Sequence, residues 1–181
     1  MIRWLLHRMI SKFEKVAHYD ATYWHEITDI SRSASGRLAL LPLISQYKGD
    51  APAALWYGAG IASAMDGDCG PCTQLMVDAA VVDGMGKADI TALLAGNPEA
   101  ASEDAALGYK MGKAAIDDDI EAHMLREQVI MRHGKRALVA IACVTATARA
   151  YPVLKRTLGF GAACHKIRLG GEDLAVVEKV A

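Results

Sequence analysis

The sequence predicts an all-α protein with a short C-terminal β-hairpin. Apolar residues recur at helical spacing from the first residues onward, as in Ile2, Leu5, Leu6, Met9, Phe13 and Val16. Alanine-rich apolar stretches at 50–65 and 135–150 are punctuated by Gly, Pro and Asp, the residues that start and stop helices. Strict alternation appears only near the end, in His165-Lys166-Ile167-Arg168-Leu169 and Leu174-Ala175-Val176-Val177-Glu178 around Gly170-Gly171.

Residues 2–17 read as an amphipathic helix whose other face carries Arg3, His7, Arg8, Lys12 and Lys15. Such a helix can lie on a membrane surface, but five basic positions also suit a solvated face, and docking on the body or on a neighbouring subunit is the favoured reading. Asp20 is the expected cap of a second helix ending near Ile30, with His18, His25 and Glu26 on its surface. Ser31 to Gly36 is turn-rich and reads as a linker. Pro42 breaks or starts a helix within the apolar segment 37–47. Asp50 is the expected N-cap of a helix running to Met65, with Pro52 in its first turn and Gly58 and Gly60 allowing close helix approach.

Asp66-Gly67-Asp68 forms a turn, and Asp68 is the expected N-cap of a helix opening with the cysteines and stopping near Gly84 or Gly86. A short helix spans 88–95 before Gly96-Asn97-Pro98, and another runs from its cap Ser102 to Ile116. Asp117-Asp118-Asp119 lacks the spacing of a calcium loop and reads as a helix start. Two further helices are expected, one over 120–132 stopping at Gly134 and one over 135–150 ending before Pro152, with a last short helix over 153–158. Cys143 falls inside the second of these as a buried, inert thiol. The whole reads as a single helical domain over 1–181, with N-terminal helices at 1–48, a core at 50–150 and a C-terminal extension at 153–181.

The 181 residues suffice to bury a core without staples. Apolar content of 52% suits helices that pack on other subunits. A formal net charge of −1 gives no electrostatic case for nucleic acid. No run of eighteen apolar residues is present, so a spanning helix is not expected, and His7 and Arg8 interrupt the apolar start in a way a signal peptide does not. Four cysteines, only two of them close together, do not make a secreted disulfide framework. The expectation is a reducing cytoplasm, where a CxxC is more often redox-active or metal-binding than structural.

That CxxC is Cys69-Gly70-Pro71-Cys72. With Cys69 at the first helical position, Cys72 falls at i+3 on the same face. The helix dipole there favours an anion by about 0.3–1 kcal/mol, and by up to ~2 kcal/mol with partial burial, which at about 1.36 kcal/mol per unit moves a thiol by roughly one unit, from ~8.5 toward ~7.5. Asp66 and Asp68 act against it. Zinc needs four ligands, and beyond the pair only Cys164-His165 offers itself, adjacent and awkward; no metal or other cofactor is expected. The tetrapeptide matches that of thioredoxin, but that motif follows a strand, and the segment before it here reads as helix.

A helix, a turn, a CxxC opening the next helix, then Gly and two more helices resemble the carboxymuconolactone decarboxylase and alkylhydroperoxidase D superfamily. The likeness covers roughly residues 50 to 150 and rests on Asp68-Cys69-Gly70-Pro71-Cys72-Thr73-Gln74-Leu75, on Gly84 to Gly96 and on the Ala-rich helix at 136–150. It implies an all-α, homo-oligomeric protein of the alkylhydroperoxidase D-like type that reduces peroxides or disulfides. Cys72 would be the attacking thiolate and Cys69 the resolving thiol, with an external dithiol as reductant. Peroxidase members carry a His four residues after the second cysteine, where this chain has Met76, and a Glu about twelve before the first, where it has Leu55-Trp56-Tyr57-Gly58. Asp68, Gln74, His123, His133 and His165 are the candidates for the vacant proton-transfer role. The alternative is a non-enzymatic helical oligomer whose CxxC is a redox sensor or a packing element.

Overall fold

A computed structural model describes residues 2–160 and 166–175. The chain is all-α with a small C-terminal hairpin. Its helices are α1 (Ile2–Ala17), α2 (Thr22–Ile30), α3 (Arg32–Leu38), α4 (Pro42–Ser45), α5 (Ala53–Asp66), α6 (Gly70–Val82), α7 (Lys87–Leu94), α8 (Glu103–Asp117) and α9 (Glu121–Thr157), with a 3-10 turn at Pro98–Ala100. Strands β1 (Lys166–Leu169) and β2 (Glu172–Ala175) pair antiparallel with Leu169 opposite Glu172. Gly170 and Gly171 both take positive φ, 62° and 92°, as a two-residue hairpin turn requires.

Helix α5 is the axis of the body. Every residue from Leu55 to Ala64 is buried, and α6, α8 and α9 pack around it. An all-round apolar helix has no solvent face to keep and belongs in a core. The crossing with α8 is close because glycines face backbone. A Cβ on Gly58 would overlap the carbonyl of Ala105, and one on Gly108 would overlap that of Leu55.

A second, smaller core joins α1–α3 to this body. Ile10, Tyr19, Ala21, Tyr23 and Trp24 are buried together, with Leu75 of α6 and Leu154 of α9 packed against them. Helix α1 docks only along its centre: Ile10 is buried, while Ile2, Trp4, Leu5 and Val16 stay exposed.

Several boundaries differ from the sequence reading. Ser31 to Gly36 is no linker. Ser31 caps α3 by accepting from Ala34 N–H, and the buried Ser35 hydroxyl meets Trp24 Nε1–H at 3.1 Å and Thr28 Oγ1 at 2.7 Å. Pro52, not Asp50, holds the N-cap position of α5. His25 is not a plain surface residue, since its Nδ1 lies 2.6 Å from His7 Nδ1 and its Nε2 3.2 Å from Glu14. Helix α9 breaks at Gly134 (φ 82°) as expected, but it continues through Pro152 to Thr157. Pro152 is buried where a Cβ on Gly67 would touch its ring, so packing on the α5–α6 turn holds the proline inside the helix. By length and composition α9 is long and apolar enough to cross a bilayer, which the sequence reading did not expect; 44% of its most apolar window is buried inside the molecule, and core helices meet the same criterion.

Candidate functional site

The cysteines sit at the junction of α5 and α6. Asp66 ends α5 and is ion-paired with Arg149 of α9. The chain then reverses through Gly67 and Asp68, the latter in the left-handed region (φ 49°) that Asp tolerates better than most residues. Cys69 is therefore the N-cap residue, extended at φ −125° and ψ 91°, in place of Asp68. Pro71 lies in the first turn, where its missing N–H is no loss. Cys72 is the third helical residue and closes a disulfide with Cys69, with the Cα atoms 5.3 Å apart. Both cysteines are buried, at 6% and 9% exposure. Thr73 steadies the turn by donating its hydroxyl to the Cys69 carbonyl at 3.1 Å.

The surroundings of the pair come from distant parts of the chain. Tyr19, from the α1–α2 connection, brings its hydroxyl within 4.0 Å of Cys72 Sγ, at the reach of a hydrogen bond to sulfur. Lys155, from the last turns of α9, places Nζ 3.5 Å from the same hydroxyl. It also lies over the Tyr19 ring at 5.1 Å and the Tyr23 ring at 5.5 Å, as a cation–π pair does. Tyr19 and Tyr23 meet edge to face, with ring centroids 6.4 Å apart.

Burial sets the electrostatics. It pushes the Tyr19 and Tyr151 hydroxyls up to about 12 and Tyr23 higher, so all three remain neutral phenols at physiological pH. Burial also lowers the Lys155 pKa, partly offset by Asp20. Asp20 is itself held below its ordinary range by hydrogen bonds from the Thr22 hydroxyl and N–H. Among the described residues, no carboxylate is within ion-pair distance of Lys155. The amine is left with aromatic faces and a phenol.

The residues singled out from sequence fare differently. Cys69 and Cys72 are brought together. Asp68 is exposed, and Gln74 turns to the hairpin, donating to the Arg168 carbonyl at 2.9 Å and accepting from its N–H at 2.7 Å. His123 meets Arg126 at 2.7 Å and His133 meets Asp104 at 2.9 Å. Cys164 and His165 lie outside the described residues. Met76 packs beside Gly60, and Cys143 is half-buried and unpaired rather than fully enclosed. Tyr19, Tyr23, Tyr151 and Lys155 were not foreseen; the i, i+4 spacings of Tyr19 with Tyr23 and Tyr151 with Lys155 were their available signal. Among the described residues, no three His, Cys, Asp or Glu are grouped to hold a metal ion. Two shallow grooves lie along α9 instead, one lined by Met111, Ile116, Leu138 and Ile141 and its neighbour by Ala150, Val153 and Leu154, with Arg149 bordering both.

Compared with models of known protein families, with curated proteins and with solved structures, the chain matches none.

Proposed function

We propose that this protein is a thiol–disulfide oxidoreductase that uses Cys69 and Cys72 to reduce hydroperoxides or disulfides. The Cys69–Cys72 disulfide at the start of α6 is the observation that carries this reading. The oxidised pair is then one half of a cycle. An external dithiol reduces it, and the reduced pair meets the oxidant with Cys72 in the first turn, where the helix dipole favours a thiolate. The cytoplasm, a homo-oligomeric state and kinship with the alkylhydroperoxidase D superfamily belong to the same reading. The cytoplasm rests on the cysteine usage and the interrupted apolar start, the oligomer on the apolar composition and the family likeness, and the kinship on the sequence likeness over residues 50–150.

The burial of both sulfurs favours a second reading, in which the disulfide packs the α5–α6 junction without turning over. Thiol titration separates the two. The reduced protein, with Cys69→Ser and Cys72→Ser beside it, receives one equivalent of hydroperoxide, and turnover is followed with dithiothreitol or dihydrolipoamide. The oxidoreductase reading expects rapid loss of two thiols per chain in the parent protein and stalled chemistry in both variants. Reactivity no greater than that of free cysteine leaves the packing role.

A further inference from the structure

We propose that Tyr19 and Lys155 form the proton relay of the cysteine pair, with Tyr19 as the catalytic residue touching Cys72 and Lys155 as the positioning residue that holds the proton behind it. The proposal rests on the redox reading above and says what moves the proton.

The geometry is a line of three groups: Cys72 Sγ, the Tyr19 hydroxyl at 4.0 Å, and Lys155 Nζ at 3.5 Å from that hydroxyl. Each has the character its place demands. A neutral phenol both donates and accepts, so it passes a proton without becoming an anion. A buried amine with no carboxylate in ion-pair distance among the described residues gives up its charge more readily than an exposed one. The titratable groups that face it are Tyr19, Asp20, Tyr23 and, behind the tyrosines, Tyr151.

In the reduced protein, when the Lys155 amine is in its unprotonated form, the Cys72 thiol gives its proton to the Tyr19 oxygen as the Tyr19 proton passes to that amine. A thiolate and an ammonium result. The thiolate attacks one peroxide oxygen of ROOH, the O–O bond breaks, and its electron pair leaves on RO⁻. Lys155 returns the proton through Tyr19 to give ROH and Cys72 sulfenic acid. Cys69 then attacks the Cys72 sulfur. An S–S bond forms, the S–O bond breaks, and hydroxide leaves with the Cys69 proton as water. Two thiols are oxidised by two electrons and one peroxide is reduced.

The test follows formation of the Cys69–Cys72 disulfide, by peptide mass, after reduced protein meets cumene hydroperoxide from about pH 6 to about pH 9, a range spanning an ordinary thiol's titration. Tyr19→Phe and Lys155→Met should each slow the reaction about a hundredfold at neutral pH, the lower end of what a proton-transfer group supplies. The deficit should close as pH passes ~8.5, where the thiol ionises unaided. Lys155→Arg is permanently protonated and can neither take up the Tyr19 proton nor return it, so it should be as slow as Lys155→Met. Rates and profiles like those of the parent protein in Tyr19→Phe and Lys155→Met overturn the relay, as does a deficit that stays constant with pH. A fully active Lys155→Arg overturns the proton-holding role. If Tyr19→Phe fails to fold, the two Lys155 variants decide. A parent protein that forms no disulfide under peroxide overturns the redox reading itself, an outcome distinct from all of these.

Discussion

Gly108→Ala sets two known effects against each other, and the structure decides the sign. In a helix interior, Ala is favoured over Gly by about 1 kcal/mol. At Gly108, however, the added Cβ would come within 2.8 Å of the Leu55 carbonyl carbon and 3.1 Å of its Cα, and closer still to the oxygen. Those are backbone atoms of a fully buried residue on the central helix, so no side chain can swing aside. Reaching ordinary contact at 3.4 Å requires α8 to back away, which opens the seam with α5 along its length. Overpacking of this kind costs about 1–3 kcal/mol, and the upper part of that range applies where only backbone can yield. After the propensity gain, a net loss of about 1–2 kcal/mol remains, or a Tm lower by roughly 2–8 °C for a chain of this size. Thermal unfolding followed by circular dichroism reads it. Gly36→Ala is the comparison: it lies in α3, a Cβ there meets nothing within 4 Å, and it should raise Tm by a few degrees. If Gly108→Ala melts at or above the parent temperature, the close α5–α8 crossing is wrong.

Ser35→Ala should destabilise the N-terminal unit by about 1–3 kcal/mol, because the buried Trp24 Nε1–H and Thr28 hydroxyl lose their shared partner; an unchanged urea midpoint contradicts that network. Asp83 is held below the ordinary carboxylate range by the Lys48 ammonium and then by the Tyr57 hydroxyl. A depressed folded pKa means that its contribution is present above about pH 4, the unfolded value, and fades as pH falls through the folded one. Asp83→Asn should therefore flatten the acid limb of stability against pH while leaving the slope between about pH 5 and about pH 8 unaltered. An acid limb identical to that of the parent protein counts against the Lys48–Asp83–Tyr57 contact.

Local chemistry made much of this fold legible. The period of α1, the Ser102 cap of α8, the break at Gly134 and the diglycine turn of the hairpin all announce themselves within a few residues. What escaped depends on partners far along the chain. Ser31 to Gly36 has loop composition, and it is helical because Ser31 caps it and Ser35 turns inward to the α2 side chains. Pro152 stays inside α9 because Gly67 leaves room for its ring. At the site, the cysteine pair was plain from spacing alone. For a proton-bearing group, the sequence points to carboxamides, carboxylates and histidines. The side chain within reach of Cys72 is a tyrosine 53 residues before it, and that hydroxyl's neighbour is a lysine 136 residues beyond the tyrosine. No periodicity within α6 points to either.

The contact of Cys72 with Tyr19, and of Tyr19 with Lys155, bears on how the chain can be shortened or borrowed. Tyr19 comes from the connection after the first helix, and the lysine behind it from the end of the last. A fragment cut at residues 50 and 150 would keep the tetrapeptide, its helix and the central packing, yet lose both Tyr19 and Lys155. Grafting the motif into another helical scaffold would transplant two sulfurs without their surroundings. The contacts around the pair belong to the chain from its first helices to its last, and they would not travel with the four residues that spell the motif.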